Sequence, residues 1–173
     1  MSETATIDET ALAEHRAALA AIITSLRALE PARWSAPRGP GKWSPAQIAE
    51  HLRLTYVTLG NEARGGTGFR VRAKWWLRPL LRLRYVGRIL RTGAFPEGAP
   101  ATREVRPGEG PFEREPLLAE LAAEGERFLA AVQGARARHV AGLTHPFFGK
   151  LDLRRGLLLA TSHLHHHHRQ VPA

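Results

Sequence analysis

Leu153, Leu157, Ala160, Leu164, His167 and Val171 recur at steps of four, three, four, three and four residues. That is the period of an α-helix with one apolar face, and such a face has to be covered by another element. Three more stretches carry the same pattern. From about Glu9 to Leu29 the stripe is Leu12, Leu19, Ile22, Ile23, Leu26 and Leu29. A second helix opens at "SPAQIAEHL", where Ser44 suits the N-cap, Pro45 the first helical position, and Gln47 completes a capping box. Ile48, His51, Leu52, Thr55 and Leu59 then share one face. Another helix restarts after Glu115, with Pro116 in its first turn and Leu117, Leu121, Phe128 and Val132 spaced for burial. The last begins near Asp152, a plausible N-cap after "HPFFGKL". No alternating strand pattern and no 20–50-residue repeat competes. The expected fold is all-α, a four-helix bundle, with residues 1–173 forming one domain and residues 1–8 a flexible tail.

The middle of the chain breaks the pattern. Pro79 and Gly87 interrupt the apolar run from Trp75 to Leu90, which predicts one or two short helices or an irregular excursion. The loop that follows, "TGAFPEGAPATREVRPGEGPFERE", holds four of the 12 prolines. Charge is concentrated here too. "RVRAKWWLRPLLRLRYVGRILR", from Arg70 to Arg91, has eight basic residues and no acid, and it accounts for most of the formal charge of +9.

Composition narrows the chemistry. The chain has no cysteine, which excludes disulfides, thiolate metal ligands and a cysteine nucleophile. Any metal has to be held by imidazole or carboxylate. "MSETATIDET" lacks an apolar signal core, and no apolar run reaches the roughly 20 residues of a membrane span. A soluble, cytoplasmic protein is the expectation.

Nine histidines are present, five of them in "ATSHLHHHHRQVPA". Leu164 splits that run, and helical phase separates its members. His163 and His167 are four apart, about 6 Å along a helix axis, so two imidazoles can reach one ion. His165 points roughly away from the core, flanked by His166 and His168. His51, on the apolar face of the second helix, is the natural third ligand. A hydrogen-bonded core histidine is the alternative for His51, and an HxxxH spacing arises almost automatically in a histidine run. His145 reads as part of the turn before the last helix, and His15 and His139 as structural or surface residues. Trp43 is expected to plug one end of the core, with Trp75 and Trp76 packing over the bundle or lining its open end.

"GKWSPAQIAEHL", Gly41 to Leu52, resembles the start of the second helix in DinB-like proteins, where Trp-Ser/Thr precedes the first metal-binding histidine by six intervening residues. "HPFFGKLDLRRGLLLATSHLHHHHRQV" resembles that family's last helix, introduced by a His-Pro-x-x-Gly-like turn and ending in His-x-x-x-His-x-x-Gln. The resemblance implies a four-helix bundle with a long, variable middle. It also implies a three-histidine site at His51, His163 and His167, with Gln170 orienting a ligand or closing the helix end. His165, His166 and His168 fall outside that ligand set.

A site of this kind takes a divalent ion such as zinc, nickel or iron, and three ligands leave a position open for water or substrate. The relatives implied include thiol-dependent transferases and metal-dependent hydrolases. Without cysteine, thiol chemistry here requires a low-molecular-weight thiol. The expected partner is a small-molecule substrate, and a homodimer through a helix face is compatible with a bundle. Two other readings use the metal site or the charge differently. One is a bundle that binds metal without catalysis. The other is binding of an anion, nucleic acid or a membrane surface by segment 70–91, with Arg78, Arg82 and Arg84 as candidates. No recognised reading head accompanies the charge, so nucleic acid is not the expected partner.

Overall fold

A computed structural model of the chain describes residues 9–96 and 101–172. The tail expected at residues 1–8 lies outside the described residues. The fold is predominantly helical. Helix α1 (Glu9–Ala28) leads through a short α2 (Pro31–Trp34) to α3 (Pro45–Ala63). The capping box at Ser44 forms as its sequence predicts: the Ser44 hydroxyl accepts from the Gln47 amide N–H at 3.2 Å, and the Ser44 N–H donates to Gln47 Oε1 at 3.0 Å. Helix α6 (Arg114–Gln133) follows the middle segment. The last helix, α7 (Leu153–His168), is capped by Asp152, which accepts from the Arg155 N–H at 2.8 Å.

The apolar stripes of α1, α3, α6 and α7 meet in one core. Helix α3 packs along α6, and α1 along both α7 and α6. Leu12, Ile22, Leu26, Ile48, Leu52, Leu118, Leu121, Phe128, Leu129 and Leu157 are fully enclosed there. At roughly 25 cal/mol for each Å² of apolar surface removed from water, these side chains supply the main favourable term of folding.

Inside this core sits one polar chain. His15 is completely buried, with Nδ1 2.9 Å from Thr161 Oγ1 and Nε2 2.8 Å from Tyr56 Oη. Thr161 Oγ1 already donates its proton to the Leu157 carbonyl at 3.0 Å. It therefore accepts from His15 Nδ1–H, and His15 Nε2 accepts from the Tyr56 hydroxyl. One neutral imidazole thus ties α1, α3 and α7 together with every polar atom satisfied. Burial drives its pKa down to about 3.

The middle segment becomes α4 (Arg78–Leu81), a π-helical turn (Arg82–Val86) and α5 (Gly87–Thr92). Pro79 stands in the first turn of α4, where its missing N–H costs nothing. Leu81, Tyr85, Val86 and Ile89 turn inward onto a second, smaller apolar cluster with Phe148, Leu151 and Leu159.

The expected all-α class holds in its predominantly helical character, with one minor addition, and the placing of two tryptophans needs correction. β1 (Gly142–His145) and β2 (Gly149–Asp152) pair antiparallel, with Leu143 opposite Leu151 and His145 opposite Gly149. Four-residue strands are too short to show a period, and the pairing depends on local backbone fit. A side chain at Gly142 would collide with the Leu151 carbonyl, and Gly149 takes a φ of 71° to close the turn. Trp75 and Trp76 neither cover the core nor line its end. Both are exposed, because Leu81 and Tyr85 occupy the inward positions of their segment.

Candidate metal centre

His51 projects from the second turn of α3, and His163 and His167 project one turn apart from α7. Their Nε2 atoms converge. His163 Nε2 lies 3.1 Å from His51 Nε2 and 2.9 Å from His167 Nε2, and the three rings stand steeply inclined to one another. Three imidazole nitrogens on one tetrahedral ion, each about 2.05 Å away, stand about 3.3 Å apart. The cluster is within a few tenths of an ångström of that triangle along two edges.

Hydrogen bonds behind the rings say which nitrogen is bare. His51 Nδ1 meets the Val105 carbonyl at 2.7 Å, and a carbonyl only accepts, so the proton is on Nδ1 and Nε2 carries a lone pair. His167 Nδ1 donates to Gln170 Oε1 at 3.0 Å, again leaving Nε2 bare. The Gln170 amide is held in turn by donating from Nε2 to His166 Nε2 at 2.9 Å. His163 Nε2 is therefore placed against two lone pairs, and a single proton on it can satisfy only one. A cation at the centre satisfies all three, so the donor set fits a metal ion. Outer partners of this kind orient a ligand and raise its basicity. We expect Gln170→Ala to weaken zinc binding roughly 10- to 100-fold, measured by competition with a chromogenic chelator.

Electrostatics favour the same state. Burial lowers the His51 pKa to about 4, although the Val105 bond works in the opposite direction. Burial, and next the charge of neighbouring imidazoles, hold His163 and His167 well below the ordinary value of 6.5. The three rings are neutral at pH 7, which is the ligating form.

The cluster forms one wall of a cavity of about 440 Å³. Trp43 packs against the rings of His51 and His167, with centroids 4.8 and 6.4 Å away, so the aromatic expected to plug the core sits on the site itself. Phe95, from the loop after α5, closes on His163 and His166, each at 5.6 Å. Leu59, Leu143, Phe148 and Leu159 continue the apolar lining. Among the described residues, no Asp, Glu, Lys or Arg lines it.

Each expected residue has a defined place. His51, His163 and His167 come together, and Gln170 contacts His167. His165 is exposed, and His168 bonds Ser25 Oγ at 2.8 Å, both away from the cluster. His166 lines the cavity beside it. Arg82 donates from Nε to the Phe148 carbonyl (2.6 Å) and from Nη2 to that of Lys150 (2.8 Å). Arg78 donates to Ala73 O at 3.1 Å, and Arg84 lies over the Tyr85 ring. The basic segment reaches the cavity through Leu81 and Tyr85 rather than through its arginines.

Sequence reasoning missed two contributors. His145 lines the cavity, and its Nδ1 accepts from the N–H groups of Phe147 and Phe148 at 3.2 and 3.4 Å. Its proton therefore sits on Nε2, and burial lowers its pKa to about 4. Buried Glu62, near the end of α3, pins the hairpin beside the site. It accepts from Thr144 N–H at 2.7 Å and from Thr144 Oγ1 at 2.6 Å, with Lys150 Nζ 3.7 Å away. The "HPFFG" turn marked the hairpin's position, but nothing in sequence links it to Glu62.

No helix among the described residues is long and apolar enough to cross a membrane. Neither the curated proteins nor the solved structures contain a match to this chain. Comparison with protein families does give one, to the DinB superfamily, and it runs from residue 11 to residue 171 and so takes in both halves of the histidine cluster. Spanning nearly every element of the fold, that match shows that the chain belongs to the DinB superfamily.

Proposed function

We propose that this chain is a divalent-metal-dependent enzyme acting on a small, largely apolar molecule, as a thiol-dependent transferase or a hydrolase. On this reading α1, α3, α6 and α7 form a four-helix bundle folded as one domain, and His51, His163 and His167 hold zinc, nickel or iron. The observation that carries it is the convergence of three Nε2 atoms at a cavity wall, with the proton of His51 held on Nδ1 by Val105 and that of His167 by Gln170. A divalent ion held there supplies Lewis acidity, which makes a water or a low-molecular-weight thiol nucleophilic at neutral pH.

The chain's own residues do the remainder. Trp43 and Phe95 cover the cluster and limit access of bulk water. The aliphatic and aromatic lining binds the apolar part of a substrate. Among the described residues of the cavity wall, the polar groups that can meet a substrate are imidazoles and hydroxyls. His145, its Nδ1 engaged by the turn, offers Nε2–H as a donor to a developing negative charge on the substrate.

The test starts with untagged protein purified without a nickel column. Elemental analysis is expected to find close to one zinc, nickel or iron per chain. Metal-loaded protein is then screened with several thiols against apolar electrophiles, and with apolar esters and amides. Conjugation assigns the transferase arm and cleavage the hydrolase arm. Turnover equal in the wild type and a His163→Ala variant would sink both.

A further inference from the structure

Four of the five exposed large hydrophobic side chains of the described residues lie within nine positions of one another: Trp75 (76% exposed), Trp76 (57%), Leu80 (61%) and Leu83 (85%). Trp76, Leu80 and Leu83 follow at steps of four and three, so the turn before α4 and the helical residues after it carry them on one face. The opposite face already does the packing, through Leu81, Tyr85, Val86 and Ile89. The outer stripe is therefore surplus to the fold.

Its surroundings are cationic. Lys74, Arg84, Arg88 and Arg91 are exposed around it, and no acid occurs between Arg70 and Arg91. Among the described residues, none of those four pairs with a carboxylate. The segment is also anchored to the hairpin. Arg82 donates to the carbonyls of Phe148 and Lys150, and the Arg72 N–H to that of Pro146, so the outer face is presented on a braced platform.

We propose that this face docks on an anionic phospholipid bilayer, with Trp75, Trp76, Leu80 and Leu83 entering the interface and the surrounding cations meeting lipid phosphates. Exposed tryptophan and leucine ringed by arginine and lysine is the pattern of an interfacial, non-spanning contact. A nucleic acid would use the cations and could stack the tryptophans, but it has no use for a leucine stripe. A second copy of the chain would bring two cationic rings face to face. A surface with anionic headgroups over an acyl layer satisfies the apolar stripe and the charge together.

The test is co-sedimentation of the full chain with vesicles of pure phosphatidylcholine and of phosphatidylcholine with 30% phosphatidylserine, which are the probe compositions chosen for the assay. Tryptophan emission is followed in parallel. Binding to the anionic vesicles is expected to be at least about tenfold stronger, with a blue shift, and to weaken as salt rises. A Trp76→Ser, Leu80→Ser, Leu83→Ser variant should lose at least about tenfold in binding while keeping the wild-type melting temperature, since these side chains are exposed. Equal binding by that variant would overturn the proposal, as would no preference for anionic vesicles. So would binding to a DNA or RNA duplex without binding to vesicles, or a stable dimer whose formation shields the tryptophans from an aqueous quencher.

Discussion

A His51→Ala variant is expected to lose the metal, although the whole histidine run from His163 to His168 remains in place. Ion content should fall from near one per chain to near zero, with affinity reduced by more than about 100-fold, the upper end of what losing an outer-shell partner alone costs. The reason is geometric. His51 faces the proposed ion position from α3, while His163 and His167 face it from α7, and two ligands on one helix cannot enclose a tetrahedral site. His163→Ala should have an equal or larger effect, because its Nε2 is the one flanked by both others. His165→Ala and His168→Ala should leave affinity within about twofold, since neither approaches the cluster. Titration with zinc against a chelator of known strength, on metal-free protein, reads all four. Full affinity in His51→Ala would assign binding to the run and remove the proposed centre.

The second large effect concerns acid. His15 has no solvent contact and is neutral in the fold, with a pKa of about 3 against 6.5 when unfolded. Below pH 6.5 the unfolded chain takes up a proton there that the folded chain does not. Stability is therefore fully present above 6.5 and is lost as pH falls from 6.5 towards 3, by roughly 1 kcal/mol per pH unit from this residue alone. Urea unfolding midpoints of metal-free protein at pH 7.0, 5.5 and 4.5 should show the decline. The step from pH 7.0 to 5.5 lies above the range in which ordinary carboxylates titrate. His15→Gln keeps an acceptor and a donor for Tyr56 and Thr161 but does not titrate, so its decline should be shallower by about that amount. Parallel declines in the two proteins would show that His15 is not the group responsible.

The same residue shows where sequence reading runs out. Position 15 falls near the stripe of α1, but whether an inward imidazole is wet, bonded or ligating depends on what faces it. Tyr56 and Thr161 do so from 41 and 146 residues away. His145 is a similar case. Its place in a turn was legible, whereas its entry into the cavity follows from hairpin pairing and from Glu62 holding Thr144. The exposed Trp75 and Trp76 err in the other direction. Large aromatics invite burial, yet the inner face of their segment was already taken.

Local information was sufficient wherever the cause was local. The capping box at Ser44, the cap at Asp152, and the apolar periods of α1, α3, α6 and α7 are each set within a few residues, and all four helices form close to their expected limits. Helical phase together with the family pattern separated His163 and His167 from His165. Whether those two histidines have a third partner is a different kind of question. The approach of α3 and α7, the Val105 carbonyl behind His51, and the Phe95 and Trp43 covers come from four separate parts of the chain. Their juxtaposition is decided by how apolar faces pack, a cooperative property of the whole core that no local spacing encodes. By itself the sequence determined the helices and marked His163, His167 and His51 as the candidate set. Only the tertiary structure decided that the three Nε2 atoms converge, which nitrogens are bare, and that the site opens on an apolar cavity.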